Sequence, residues 1–438
     1  MATYTGDEES SCNNHILAGE PLPEALMVDV LARLNIKTLY KFKCVSKSWN
    51  HLISRNAAFH LLHREKSLLR PMYFHLVGVK DTLSFTWIDL ADDDNCIVMR
   101  SDFPRPPYNM VCHPPVCCDL FCFATNWDIY LCNPSIRQVQ MLPKPISMDC
   151  GPSKFCVDHV IGFGYVSAKG EYSVVNLTRR IDQDYYLHPE VVPEVVGEVL
   201  ADMCTFRPND RAIRSGTETK LAFQFHCGRP SWRVTKHPCP RWVKRDGGFV
   251  VGGNMYWQIA YNNIEFDQYS SLFYGYIRRE NELILCLDIE NEEFGIIAPP
   301  PGWATDIESM LNNHVWVNLL DIKDTLCVTD VSIMVETSVL EIWALREAVR
   351  NEAVRSDGDS RIWVKDYCIK MDIPLPTLQI YQRLILQKSS SDGDIVMVSP
   401  LPDKLYIFNV EKGCLVKELN GKVSAWSRGF CWESFLSL

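Results

Sequence analysis

From about Pro71 to the C-terminus the chain runs in short stretches of β-branched and aromatic residues separated by Gly, Pro, Asn and Asp. This pattern leaves few folds open, because runs this short and this punctuated form strands rather than helices. Examples are YFHLVGV (73–79), SFTWIDL (84–90), IYLCN (129–133), HVIGFGYV (159–166), KLAFQFH (220–226), GFVVGGNMYWQIA (248–260), LEIWALR (340–346) and KLYIFNV (404–410). Many short strands with regular turn signals predict a sandwich, a barrel or a propeller. A loose repeat favours the propeller. YLCNPSIRQVQMLP, LCLDIENEEFGIIAPP and YIFNVEKGCLVKEL share an apolar strand, an Asn or Asp, a polar turn and a return strand, and such a recurring hairpin is what blades look like in sequence.

The stretch before this region has a different period. Pro23 fixes φ where a helix begins and Glu24 places an acid in its first turn, so PEALMVDVLARL reads as a helix to about Leu34. Leu26, Val30, Leu31 and Leu34 fall on one stripe at i, i+4, i+5 and i+8. After Asn35, the residues Leu39, Phe42, Val45, Trp49, Leu52 and Ile53 recur mostly at three- and four-residue intervals, which predicts one more amphipathic helix or two short ones. These helices amount to roughly 40 residues, too few to stabilise a core alone, so a partner or the rest of the chain must cover the stripe.

Composition narrows the function. At 438 residues, a small domain plus a large one is the natural division. Lys+Arg 44 against Asp+Glu 54 gives a net charge of −10, which argues against a surface built to neutralise phosphates and so against a nucleic-acid partner. No apolar run approaches the ~20 residues of a membrane helix, and MATYTGDEESSCNN is acidic where a signal peptide is basic, so the expectation is an intracellular protein of cytoplasm or nucleus. The 18 cysteines then read as reduced thiols serving as small hydrophobes. Cys112, His113, Cys117, Cys118 and Cys122 lie close in sequence but hold no Cys-x-x-Cys, so buried strand cysteines are preferred to zinc and no metal or cofactor is expected. Asn176-Leu177-Thr178 is a formal glycosylation sequon without meaning in the cytosol.

The residues from 22 to 52 resemble an F-box. The family pattern of Leu-Pro, an apolar helix ending Arg-Leu, then Ser-Leu and Val-Cys-Lys-x-Trp is met by Leu22-Pro23, Val30-Leu31, Arg33-Leu34, Thr38-Leu39 and Val45-Ser46-Lys47-Ser48-Trp49. Asn35 stands where Pro is usual, which is expected to loosen a turn, and Ser46 where Cys is usual. The resemblance implies that the stripe docks on a Skp-family adaptor and, through it, a cullin. The contact residues it implies are Leu22, Pro23, Leu26, Val30, Leu31, Leu34, Leu39, Val45 and Trp49. The competing reading is a helical cap packed only on its own chain.

A second resemblance runs from about Val111 onward, to the F-box-associated domain of plant F-box proteins, which is related to kelch-type propellers. It rests on Leu131-Cys132-Asn133-Pro134-Ser135-Ile136-Arg137, Gly162-Phe163-Gly164-Tyr165, Ser231-Trp232-Arg233, Gly253-Asn254-Met255-Tyr256-Trp257, Leu285-Cys286-Leu287-Asp288, Leu340-Glu341-Ile342-Trp343 and the closing Trp432-Glu433-Ser434-Phe435-Leu436. Asp119, where Gly is usual, and the charged segment Arg346 to Arg361 depart from it. The motifs themselves specify fold: Asn-Pro starts a turn, Gly permits unusual backbone, and tryptophans fill space between blades.

The expected architecture is α+β and multidomain: a disordered tail over 1–20, an all-α F-box over 21–66, and a mostly-β domain over 67–438 with propeller character and a charged insertion near 346–361. The basic and aromatic segment from Trp232 to Arg245 reads as a solvated hairpin edge in preference to a recognition patch. The chain has no Gly-x-Ser-x-Gly elbow, no His-Glu-x-x-His and no Walker loop, so no catalytic residue is assigned. The expected role is the non-catalytic substrate receptor of a Skp–cullin–F-box ubiquitin ligase, with target-binding residues unassigned. Two alternatives stay open, an adaptor-binding scaffold without turnover and a propeller enzyme or ligand binder with a helical cap.

Overall fold

The computed structural model describes residues 23–67 and, between 72 and 431, the strands and their adjoining turns. Residues 1–22, 432–438 and several inter-strand stretches lie outside the described residues. With them fall the tail, Leu22, Asp119, the expected strand at 220–226, and the closing Trp432 to Leu436.

Four helices come first: α1 (Glu24–Ala32), α2 (Ile36–Phe42), α3 (Lys47–Arg55) and α4 (Ala57–Ser67). Helix α1 stops two residues short of the expected Leu34, because the amides of Arg33 and Leu34 reach back to Val30 and Leu31 in a tight last turn (3.2 and 3.0 Å). The helical run after Asn35 is two helices, and α4 adds a third beyond the amphipathic stretch. Leu31, Ala32, Ile36, Leu39, Ile53 and Phe59 form their common core.

The strands then group by pairing into six four-stranded antiparallel units. The first contains β1 (Met72–Val79), β2 (Thr82–Ile88) and β3 (Ile97–Pro104), and the second β4 (Met110–Cys112), β5 (Phe121–Thr125), β6 (Ile129–Asn133) and β7 (Gln138–Met141). The third is β8 (Phe155–Val166), β9 (Glu171–Asp182), β10 (Leu200–Phe206) and β11 (Arg233–Val234), and the fourth β12 (Gly248–Val251), β13 (Asn254–Gln258), β14 (Ile284–Asp288) and β15 (Glu293–Ile297). The fifth is β16 (Asn318–Ile322), β17 (Thr325–Ile333), β18 (Ser338–Glu347) and β19 (Arg361–Met371), and the sixth β20 (Leu386–Lys388), β21 (Asp394–Val398), β22 (Lys404–Asn409) and β23 (Cys414–Asn420). The last strand, β24 (Ser427–Cys431), returns to pair with β1 from Met72↔Cys431 to Leu76↔Ser427 and completes the first unit. A ring closed by its own last strand is how a propeller avoids an open seam.

The third and fourth units are joined where β8 and β12 pair in parallel at Gly162↔Gly248 and Phe163↔Phe249. The first strands of adjacent blades thus meet side by side, as wedges do near a common axis. Closeness here depends on absent side chains: a Cβ on Gly248 would lie 2.4 Å from the Trp257 indole, and one on Gly162 2.3 Å from Met255 Sδ. Trp257 is buried in the core shared by blades two, three and four. A second core, with Tyr256, Ile284, Leu326 and Val328, joins blades four and five.

The repeat read in the sequence falls at one structural position. Its three copies are the outer hairpins β6–β7, β14–β15 and β22–β23. In each, the Asn or Asp that ends the third strand folds the turn with its own side chain. Asn133 Oδ1 accepts from the Ser135 amide (3.0 Å), Asp288 Oδ1 from Glu290 and Asn291 (2.8 and 3.0 Å), and Asn409 Oδ1 from Lys412 (2.7 Å). The run 248–260, expected as one strand, is instead the hairpin β12–β13, turned at Gly252 and Gly253 with φ of 56° and 89°. The charged insertion links β18 to β19, whose ends pair at Glu347↔Arg361; residues 348–360 lie outside the described residues.

Blades two and three are also tied by buried polar groups. His159 Nε2 donates to the Thr125 carbonyl (2.5 Å) while Nδ1 lies 2.9 Å from Asn176 Oδ1. Asn176 Nδ2 donates to Thr178 Oγ1 (2.7 Å), which meets Ser147 Oγ (2.7 Å), and Ser147 in turn bonds Asp202 through its amide (2.9 Å) and hydroxyl. The sequon asparagine is therefore inside the sheet, bonded to the threonine of its own motif. The Trp232 to Arg245 segment has its tryptophans turned inward. Trp232 Nε1 donates to the Pro143 carbonyl (2.6 Å), and Trp242 lies under the Arg179 guanidinium (4.2 Å), which pairs with buried Asp158 (2.9 Å).

Candidate partner-binding face

The helical unit divides the expected contact set by burial. Leu26, Val30 and Val45 are 55%, 57% and 62% exposed, whereas Leu31 and Leu39 are 2% and 0% exposed. Leu26 and Val30 are one turn apart on α1, and Leu31, about 100° further round, points into the core against the other helices. Pro23 is exposed at the start of α1, while Leu34 and Trp49 are half-buried, the Trp49 ring resting 5.5 Å from that of Phe42. Leu22 lies outside the described residues. The outward apolar residues are therefore Leu26, Val30 and Val45, joined by Tyr40, which carries the Lys43 ammonium over its ring at 3.9 Å.

Both departures from the family pattern start helices. Asn35 Oδ1 accepts from the Thr38 amide (2.8 Å) at the start of α2, and Ser46 Oγ accepts from the Trp49 amide (3.1 Å) at the start of α3. Asn35, expected to loosen a turn, instead fixes one, because a side-chain oxygen satisfies an amide that the first turn leaves unpaired. Replacing Ser46 or Asn35 by Ala is expected to cost about 1 kcal/mol each, read as a lower midpoint in urea for loss of the helical circular dichroism signal.

Sequence reading missed how α4 fastens the unit. His63 Nε2 donates to the Leu34 carbonyl (3.0 Å) and His60 Nε2 to that of Ile53 (2.9 Å), so two histidines one turn apart satisfy carbonyls of the α1–α2 corner and of α3. Burial pushes the His63 pKa down to about 4 and that of His60 below its usual value. The signal was His60-x-x-His63, a spacing more often read as a metal pair. Lys66 of α4 also approaches Asp29 of α1 (3.8 Å), which Arg33 holds at 2.9 Å.

The His63 shift fixes a pH dependence. The unfolded imidazole binds its proton near pH 6.5 and the folded one near 4, so the unfolded state takes up more protons in that window. Stability from this residue is full above pH 6.5 and falls as pH drops toward 4, by about 3 kcal/mol at the limit. Acid titration is expected to melt the helices over that range, and His63→Gln to flatten the curve, as followed by circular dichroism.

In the propeller, burial pushes the thiols of Cys204, Cys239 and Cys327 up to about 12, which leaves them protonated and poor nucleophiles at neutral pH. Cys122 is a buried strand residue and Cys112 lies in β4, whereas His113, Cys117 and Cys118 lie outside the described residues. Among the described residues no group of His, Cys, Asp and Glu is placed to hold a metal ion, and no helix is long and apolar enough to cross a membrane.

Among the described residues, four helices with an apolar outer face followed by six four-stranded blades define a two-part class of protein, and comparison with known families gives that class its name. The F-box domain family matches residues 21–60 and the F-box associated beta propeller domain family residues 72–413. The chain belongs to the F-box proteins that carry an F-box-associated β-propeller domain. Among curated proteins it is similar to a putative F-box protein of Arabidopsis thaliana, 29% identical over 168 residues that cover 37% of this chain and 42% of that protein. A second Arabidopsis F-box protein is 34% identical over 137 residues, 30% of this chain and 32% of that one. An Arabidopsis F-box/kelch-repeat protein is 28% identical over 179 residues, 37% of this chain and 46% of the relative. The chain thus spans less than half the length of each of these relatives.

Proposed function

We propose that this protein is the substrate-recognition subunit of a Skp–cullin–F-box ubiquitin ligase. The observation that carries the reading is the exposed face of Leu26, Val30 and Val45 on a capped helical unit with its own buried core, within residues that match the F-box family. That face docks on a Skp-family adaptor, which bridges to the cullin, and the propeller holds a target protein. No residue of this chain performs chemistry. Holding a target beside a charged conjugating enzyme raises the local concentration of its lysines at the thioester, and that proximity is the whole contribution. The protein works inside the cell, in cytoplasm or nucleus, where these partners are.

The test is reconstitution. The purified chain, mixed with a Skp-family adaptor and a cullin–RING pair, is expected to elute as one complex and to support ubiquitin transfer to a captured target. A wild-type chain that binds no adaptor overturns the proposal, and complex formation without turnover of any captured protein turns it into a scaffold.

A further inference from the structure

The outer strands of the six blades are not alike. β3 carries Arg100 and Asp102, β11 Arg233, β15 Glu293, β19 Lys365 and Asp366, and β23 Lys417 and Glu418, whereas β7 reads Gln138-Val139-Gln140-Met141, with no charge, no proline and no bulge. Charged side chains on an edge strand keep it from pairing with another chain. Among the described residues β7 alone of the six lacks that protection, and it pairs only with β6.

Its surroundings are apolar and exposed as well. Val139 and Met141 stand exposed on β7, and Ile146 stands exposed on the short 3-10 turn Ile146–Met148 that follows. That turn packs against β10 and β11, whose Val234 is also exposed, so the strip crosses from blade two to blade three. Trp127, in the β5–β6 turn, adds an exposed aromatic near the end of β7, where the Leu142 amide bonds the Ile129 carbonyl (2.8 Å). A strip of this kind is what a partner covers.

Charge selects the partner. The two segments that form the strip, 138–148 and 231–244, contain Lys144, Arg233, Lys236, Arg241 and Lys244 and no Asp or Glu, in a chain of net charge −10. Arg233 is taken by Glu292, Lys236 is exposed with its ammonium donating to the Asn291 carbonyl (3.4 Å), and Lys144 is exposed at the strip. We infer that the β7 edge and the strip beside it are where the propeller receives its target, as an extended segment that alternates apolar with acidic residues and adds a strand to blade two. This rests on the receptor reading above and names the chemistry of the target.

A displayed library of random dodecapeptides panned on the full chain tests it. The enriched peptides are expected to be acidic and apolar, to weaken as salt is raised, and to lose about tenfold or more in affinity on Met141→Asp, Ile146→Asp or the pair Lys144→Glu, Lys236→Glu. These are surface positions, so unchanged thermal melting and unchanged adaptor binding accompany the loss. Enriched peptides indifferent to all three changes, or no enrichment, overturn the inference. So does a dimer of the chain that Met141→Asp dissolves, which would assign the strip to a second copy. Adaptor binding by the wild type, measured alongside, separates this failure from that of the receptor reading.

Discussion

Changing Leu26 and Val30 together to Asp is expected to abolish capture of a Skp-family adaptor while leaving the helices folded, whereas changing Leu31 to Ala is expected to destabilise the helices themselves. The two exposed residues contribute nothing to the helical core, so charges placed there remain in water in the free protein. In a complex the same charges are desolvated without a partner. Each buried anchor at the centre of an interface contributes about 1–3 kcal/mol, so the pair lowers affinity by roughly a hundredfold or more. Leu31 lies among Ala32, Ile36, Leu39, Ile53 and Phe59, and its truncation leaves a cavity worth about 2–5 kcal/mol in a unit too small to spare it. Circular dichroism of the helices separates the outcomes: binding lost with the signal intact for the Asp pair, the signal itself reduced for Leu31→Ala. Normal adaptor binding by the Asp pair would remove Leu26 and Val30 from the interface.

Gly248→Val combined with Gly162→Val is expected to yield no soluble propeller. A single Cβ at either position already falls within 2.5 Å of Met255 Sδ or the Trp257 indole, and Trp257 has no exposed side toward which to swing. Overpacking of this kind costs about 1–3 kcal/mol for one methyl group and more for a branched side chain, because the parallel β8–β12 contact must open. The milder Gly248→Ala is expected to lower the melting temperature by several degrees. Trp257→Leu alone also destabilises, by emptying the same space. Combined, the two cost less than their sum, since each relieves the defect of the other, and calorimetry of the four proteins measures that coupling. Additive losses would show that the glycine is tolerated for a reason other than the indole.

Much of this was legible before any coordinates. The outer hairpins of blades two, four and six stood out because one job, folding strand three into strand four, is done each time by an Asn or Asp with its own side chain. The F-box pattern was legible because Leu-Pro, Arg-Leu and Val-x-Lys-x-Trp occur in order and at spacing. Which apolar residues of that pattern face outward was not legible. Leu26 and Leu31 are the same residue type on the same helix, and only the way α2, α3 and α4 pack on α1 decides which is covered. The Gly252-Gly253 turn was written plainly, yet the apolar residues on either side masked it as one strand. The pairing of β8 with β12 has no local signature, since it depends on how two wedges meet.

The strand that closes the ring has a consequence in time. β24 begins at residue 427 and pairs with a strand that ends at residue 79, so a ribosome adding about 5–20 residues per second presents the first strand roughly 17–70 s before its neighbour exists. The helices, whose common buried core is drawn from residues 31–59, have all left the ribosome before that interval begins. A chain interrupted anywhere between the two would carry the exposed face of Leu26, Val30 and Val45 and no closed propeller. Under the receptor role proposed above it is expected to compete for the adaptor and deliver nothing, so a premature stop is expected to act as an inhibitor rather than a simple loss.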